Sequence, residues 1–183
     1  WQGRSKRPMN DEMVSKIMPL RLLVLDVDGV LTDGRIVMSD NGQETKFFDV
    51  KDGHGLKLLM RAGIEVIWIT GRRSQVVEHR ARDLGVQEYH QMIWDKVQVY
   101  EEILARKGLT AAEVAYMGDD VVDVPLMKRV GFAVAVADAV EEAKRAAHYV
   151  TRHQGGRGAV REVCDLIIKG QGKWNRVMER YLS

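Results

Sequence analysis

Leu22-Leu23-Val24-Leu25-Asp26-Val27-Asp28-Gly29-Val30 is the stretch that decides the fold. Its apolar run reads as a short buried strand. Residues i and i+2 of an extended chain point to the same side, so Asp26 and Asp28 converge just beyond the strand's end. Two carboxylates there suit a hard cation, which prefers oxygen ligands. Gly29 lets the chain turn sharply with no side chain in the way. An Asp-rich turn with no function is the plain alternative. The motifs downstream weigh against it.

Working outward, apolar strands alternate with amphipathic helical stretches. Asp40-Asn41-Gly42 marks a hairpin turn between strands at 35–39 and 43–50. A helix is expected over 53–62 and ends at Gly63. A second buried strand follows at 65–69. Ser74 is placed to cap a helix that stops before Gly85. A short strand at 87–90 and a helix capped by Asp95 come next. A strand at 113–117 then runs into Gly118-Asp119-Asp120, with a helix to about residue 130 and Pro125 in its first turn. Further units are a strand at 131–135, a helix at 140–146, a short strand at 148–150 and helices at 158–168 and 173–182. Repeated strand–helix units imply an α/β fold: a Rossmann-like, three-layer α/β/α arrangement around a mainly parallel sheet, with a small hairpin flap. Residues 19–170 are read as one domain, 1–18 as a mobile N-terminal tail and 171–183 as a C-terminal helical tail.

Composition narrows the class. The chain has 183 residues, of which 45% are hydrophobic and 30% charged, so it can bury a core under a well-solvated surface. A net charge of +2 is too balanced to suggest nucleic-acid binding. The single cysteine, Cys164, lies on an apolar helix face and reads as a packed thiol. No apolar run approaches the roughly 18 residues needed to span a bilayer, and residues 1–19 lack the apolar core of a signal peptide. A soluble, cytoplasmic protein is expected, with neither nucleic acid nor membrane as partner. The five histidines show no zinc-ligand spacing.

In parallel sheets chemistry gathers beyond the carboxyl ends of the strands. The polar groups delivered to that edge are Asp26 and Asp28, then Thr70-Gly71-Arg72, then Lys96, then Asp119, Asp120 and Asp123. Each alone has an ordinary reading as a turn, a cap or a solvated side chain. Their order and strand-end placement resemble the four motifs of the haloacid dehalogenase superfamily, over residues 21–169.

That resemblance implies a Mg²⁺-dependent phosphatase. Asp26 would attack phosphorus and form an aspartyl-phosphate. Asp28 would protonate the leaving oxygen and then deprotonate the attacking water. Mg²⁺ would sit between the Asp26 carboxylate, the Asp28 backbone carbonyl, Asp119 and waters. Thr70 and Lys96 would hold the phosphoryl oxygens, and Asp120 and Asp123 would order the metal's waters or Lys96. Relatives without a second acid two residues after the first tend not to be phosphatases, and this chain has it.

Only about 40 residues separate Asp28 from Thr70, which leaves no room for a cap domain. The resemblance is to the capless branch, in which a hairpin serves as a flap and neighbouring subunits of a homotetramer close the site. Within that branch, Leu31-Thr32-Asp33-Gly34, the run 48–55, Ile69-Thr70-Gly71-Arg72, Arg80 and the run 155–162 resemble phosphatases of eight-carbon sugar-acid phosphates. Relatives acting on nine-carbon acids tend to carry Glu where this chain has Arg72. The stretch before Lys96 departs from the pattern: it is usually smaller and contains glycine, whereas Met92 and Trp94 stand here. A sugar acid needs a second anion site for its carboxylate, and arginine's paired donors suit it. Arg72, Arg80 and, from a neighbouring subunit, Arg157 are the candidates, with Gly71 beside them. The glycine loop 155–158 is read as able to present amides to an anion. A nine-carbon acid phosphatase and a non-catalytic assembly module are the rival readings.

Overall fold

A computed structural model of the chain describes residues 11–182. The apolar run forms β1 (Leu22–Leu25), fully buried at the centre of a six-stranded sheet. Its neighbours are β4 (Glu65–Ile69) and β6 (Val114–Gly118). β5 (Glu88–His90) lies outside β4; β7 (Phe132–Ala135) and β8 (Tyr149–Val150) lie outside β6. Every pairing in this sheet is parallel. The expected fold class is the one observed.

Helices cover both faces, as a parallel sheet requires. On one side α2 (Val50–Arg61) contacts α3 (Gln75–Leu84) and α7 (Ala159–Gly170). On the other α5 (Val124–Met127) contacts α4 (Lys96–Lys107) and α6 (Glu141–Ala146). Trp68, Tyr116, Phe132 and the β1 leucines are among the largest buried side chains between the layers.

The order β5-β4-β1-β6 means the chain leaves β1 to one side and later returns to the other. The crevice at such a switch point opens beyond the strand ends. Register aligns Leu25 with Trp68 on one side and Met117 on the other. Asp26, Thr70 and Asp119 therefore leave the sheet within two residues of one another.

Several boundaries differ from the sequence reading, each for a physical reason. The flap is smaller than expected: β2 (Val37–Met38) and β3 (Glu44–Thr45) pair antiparallel over two residues each. The second strand cannot run on to Val50, because the Asp49 carboxylate accepts the Lys51 and Asp52 amides and starts α2 there. Gly53 and Gly55 delayed the expected helix start, yet they sit inside α2. A β-carbon at Gly53 would lie 2.3 Å from Arg80 Nη2, and one at Gly55 2.9 Å from Arg161 Cδ. Both are close-approach glycines. The helix expected after Asp120 is a turn of 3-10 helix over Val121–Asp123 followed by the single turn α5.

Of the stretch 1–18 set apart in the sequence, residues 1–10 lie outside the described residues. Residues 11–17 form α1 (Asp11–Ile17), whose Ile17 is fully buried. At the other end α8 (Trp174–Leu182) buries Val177. No helix among the described residues is long and apolar enough to cross a membrane.

Candidate active site

The Asp26 amide donates to Met117 O at 3.0 Å, which extends the β1–β6 ladder by one residue and fixes where the carboxylate emerges. Its carboxylate is buried, with Lys96 Nζ 3.0 Å away. Lys96 is the first residue of α4, held there by Asp95, whose carboxylate accepts the Val97 and Gln98 amides. A lysine at a helix start usually reaches water; this one is only 5% exposed. It also donates to Asp123 Oδ1 at 2.7 Å and to the Tyr116 hydroxyl at 3.1 Å.

Asp123 is fully buried and saturated. Oδ1 accepts from Lys96 and, at 2.5 Å, from Tyr116; Oδ2 accepts the amides of Asp119 at 2.9 Å and Asp120 at 3.2 Å. Ligand oxygens of Asp26, Asp119 and Asp123 lie within 4.8 Å of one another. A carboxylate has about four acceptor sites, and Asp123 has used its own. Asp26 and Asp119 are the side chains left to face a cation.

The electrostatics fit such an ion. Burial, reinforced by neighbouring carboxylates, pushes Asp119 up to about 8. Burial also pushes Asp26 up to about 7; Lys96 pulls it down and Asp123 pushes it further up. For Lys96, burial works against the charge, but Asp26 and Asp123 outweigh it and hold the ammonium above its ordinary range. Asp26, Asp28, Glu44, Asp119 and Asp123 face only three cations within the site, Lys46, Arg72 and Lys96. The surplus of carboxylates is what a hard divalent cation neutralises.

Gly29 has φ +90°, and a β-carbon there would lie 2.0 Å from Asp119 Oδ2. The glycine is thus required twice, by its backbone conformation and by the carboxylate against it. Asp28 faces the flap. Its carboxylate is ion-paired with Lys46, whose side chain is only 1% exposed, and Arg72 Nε stands 3.9 Å away. Arg72 Nη2 donates to Glu44 on β3 at 2.7 Å. Thr70 is buried at the end of β4, with the Arg72 amide donating to its hydroxyl at 3.3 Å. Gly71 lies between them, and a β-carbon there would meet only Ile93 O, at 3.6 Å.

The structure thus gathers Asp26, Lys96, Asp119 and Asp123 into one cluster and ties Asp28 and Arg72 to the flap. The remaining candidates sit differently. Asp120 is exposed, and its carboxylate accepts the Val121 amide. Arg80 pairs with Asp83 at 2.6 Å and lies over the Phe48 ring, 5.8 Å from its centroid. Arg157 is exposed, 3.8 Å from Asp33. The glycine loop receives its anion from within. The buried Asp52 carboxylate accepts the Gly158 amide at 3.2 Å and the Arg161 amide at 2.7 Å. The loop also packs on the turn that follows Asp28, since a β-carbon at Gly155 would fall 1.7 Å from Gly29 O.

Sequence reasoning missed Glu44, Lys46 and Tyr116. The first two stand two residues apart at β3 and just past its end, a spacing that puts both on one face of an extended chain. A tyrosine inside an apolar strand was a sign too, because a buried hydroxyl needs a partner.

Residues 90–163 match the haloacid dehalogenase-like hydrolase family. Over 166 residues the chain is 48% identical to the 3-deoxy-D-manno-octulosonate 8-phosphate phosphatase of Yersinia pestis, covering 91% of this chain and 89% of that protein. The Moraxella catarrhalis phosphatase of the same name, crystallised with a magnesium ion, a phosphate ion and 3-deoxy-D-manno-octulosonate (KDO), superposes with a TM-score of 0.91 at 37% identity; the match covers 93% of this chain and 98% of that one. The cobalt-bound Haemophilus influenzae enzyme gives 0.83 at 40% identity, covering 86% and 92%. The chain belongs to the haloacid dehalogenase-like hydrolases and, within them, to the family of 3-deoxy-D-manno-octulosonate 8-phosphate phosphatases.

Proposed function

We propose that this protein hydrolyses 3-deoxy-D-manno-octulosonate 8-phosphate to KDO and phosphate, as a step in lipopolysaccharide precursor synthesis. The observation that carries the reading is the buried Asp26–Lys96 pair beside Asp119, at the carboxyl end of β1. An oxygen of Asp26 attacks phosphorus; the bond from phosphorus to the sugar's C8 oxygen breaks, and Asp28 gives that oxygen a proton. Water then attacks the aspartyl-phosphate, Asp28 takes a proton back, and the Asp26 carboxylate is restored. Lys96 and the Thr70 hydroxyl hold the phosphoryl oxygens through transfer. Asp123 and Tyr116 fix the Lys96 ammonium for that task.

Asp26, Asp119 and the backbone carbonyl of Asp28 would hold Mg²⁺. The ion supplies charge neutralisation between the anionic ester and its carboxylate nucleophile. Arg72, tethered beside Asp28, is the arginine best placed for the sugar's carboxylate. Arg80 is engaged by Asp83 and Phe48, and Arg157, exposed on the surface, would serve a substrate held in a neighbouring subunit. We also read the protein as cytoplasmic and as a homotetramer whose neighbouring subunits close the site. The exposed flap residues Ile36, Met38 and Phe47 support the second point.

The test is phosphate release across a panel: the eight-carbon acid 8-phosphate, nine-carbon acid 9-phosphates and hexose phosphates, each with Mg²⁺ and with EDTA. A preference of tenfold or more for the eight-carbon acid, about 1.4 kcal/mol in transition-state binding, is expected. Activity is expected to vanish in EDTA and return with Mg²⁺. Equal rates across the panel would sink the substrate assignment, and unchanged rates in chelator the metal.

A further inference from the structure

Glu44 takes no part in the chemistry above, yet it is the best-anchored residue of the flap. Its Oε1 accepts Arg72 Nη2 at 2.7 Å and lies 3.3 Å from Lys46 Nζ. Burial works against the charge, but these donors outweigh it and hold Glu44 below its ordinary range. Glu44 is therefore a fixed anion, its side chain only 16% exposed.

Arg72 is the opposite kind of residue, long and 43% exposed. An arginine free in solvent must be ordered before it can grip a carboxylate, and that ordering weakens binding. Glu44 occupies one edge of the guanidinium through a single oxygen. The remaining donors stay available for a second carboxylate.

We propose that Glu44 is a positioning residue for substrate discrimination: it pre-sets Arg72 beside Asp28 so that the enzyme prefers sugar phosphates bearing a carboxylate. The inference rests on the sugar-acid reading above. It makes the flap a determinant of specificity as well as a cover.

The experiment compares kcat/KM for 3-deoxy-D-manno-octulosonate 8-phosphate with that for glucose 6-phosphate, which lacks a carboxylate. The proteins are the Mg²⁺-loaded wild type, Glu44→Gln, Arg72→Ala and the double variant. Glu44→Gln is expected to cut the acid-to-neutral ratio about tenfold, in line with the cost of ordering one long side chain. In the Arg72→Ala background the same change is expected to leave the ratio within twofold, because the residue acts only through Arg72. A merely loosened flap would slow both substrates together and leave the ratio alone; that result would overturn the proposal. So would a full Glu44→Gln effect in the absence of Arg72. If Arg72→Ala itself spares the ratio, the sugar-acid reading of Arg72 falls and this inference with it. If Arg72→Ala abolishes the preference while Glu44→Gln is silent, only this inference falls.

Discussion

At the scale of single residues, the site is set by side chains with little room to be anything else. Asp26→Asn keeps shape and burial but removes the carboxylate we assign as nucleophile. We expect turnover to vanish with the circular dichroism spectrum unchanged; near-wild-type hydrolysis would refute the assignment. Gly29 tests the geometry more finely. An alanine methyl there would collide with Asp119 Oδ2, and the positive φ adds backbone strain. Gly29→Ala should lower kcat/KM by roughly 100-fold, about 2.7 kcal/mol, and raise the Mg²⁺ concentration needed for half-activity. A loss of rate with unchanged Mg²⁺ dependence would mean that Asp119 does not hold the ion. Asp26, Asp28, Lys96 and Asp119 were legible in the sequence because strand ends and helix starts mark them. Glu44, Lys46 and Tyr116 were not, because their roles depend on distant partners: Lys46 meets Asp28 and Tyr116 meets Lys96 only once the chain has folded. Met92 was visible as a departure, and the structure shows its physical form: it is the one non-glycine residue among those described with a positive φ, 60°.

At the scale of elements, a buried carboxylate joins α2 to α7. The residue that opens α7, Gly158, has no side chain to cap its amides. Asp52, from the first turn of α2, caps them instead across a sequence separation of 106 residues. No local pattern announces such a cap, which is why the glycine loop looked open to an external anion. Asp52→Ala leaves two buried amides unmet and should cost about 2 kcal/mol. The pH behaviour is more specific. Burial raises Asp52 to about 6, against the opposing pull of the Arg161 and Gly158 amides. Its folded pKa is thus above its unfolded one, so the folded protein keeps a proton that the unfolded chain releases. Unfolding free energy should therefore fall as pH rises from about 4 to about 6, by roughly 3 kcal/mol at most from this group. Asp52→Asn retains an acceptor oxygen but no titration, and should lose that component. Urea unfolding of both proteins between pH 4 and pH 7 measures it. A wild-type-minus-variant difference that does not move with pH would show that Asp52 titrates normally.

At the scale of the whole molecule, the sheet is buried on both faces while its active edge is ringed with uncovered apolar side chains. Met38 and Phe47 of the flap are 61% and 62% exposed, Trp94 before Lys96 is 85%, and Val122 after Asp119 is 62%. Large apolar groups gathered at one edge of a folded chain usually mark a surface that another chain covers. The strand–helix rhythm revealed the sheet and its edge, since periodicity records what each element buries. It could not reveal this rim, because periodicity does not distinguish an exposed apolar residue in a loop from a buried one. A closed homotetramer would place a neighbour's surface over each flap and complete a site that this short hairpin leaves open. In a cyclic assembly one substitution is repeated at every interface, so its effect multiplies. Phe47→Asp should therefore shift the particle measured by light scattering from four chains toward one. It should also lower kcat/KM on the sugar-acid phosphate more than on a small aryl phosphate, whose binding needs no enclosing wall. A wild-type protein that is monomeric at assay concentration and fully active would remove the neighbour from the mechanism. A tetramer that survives Phe47→Asp would keep the assembly but move its interface away from the flap.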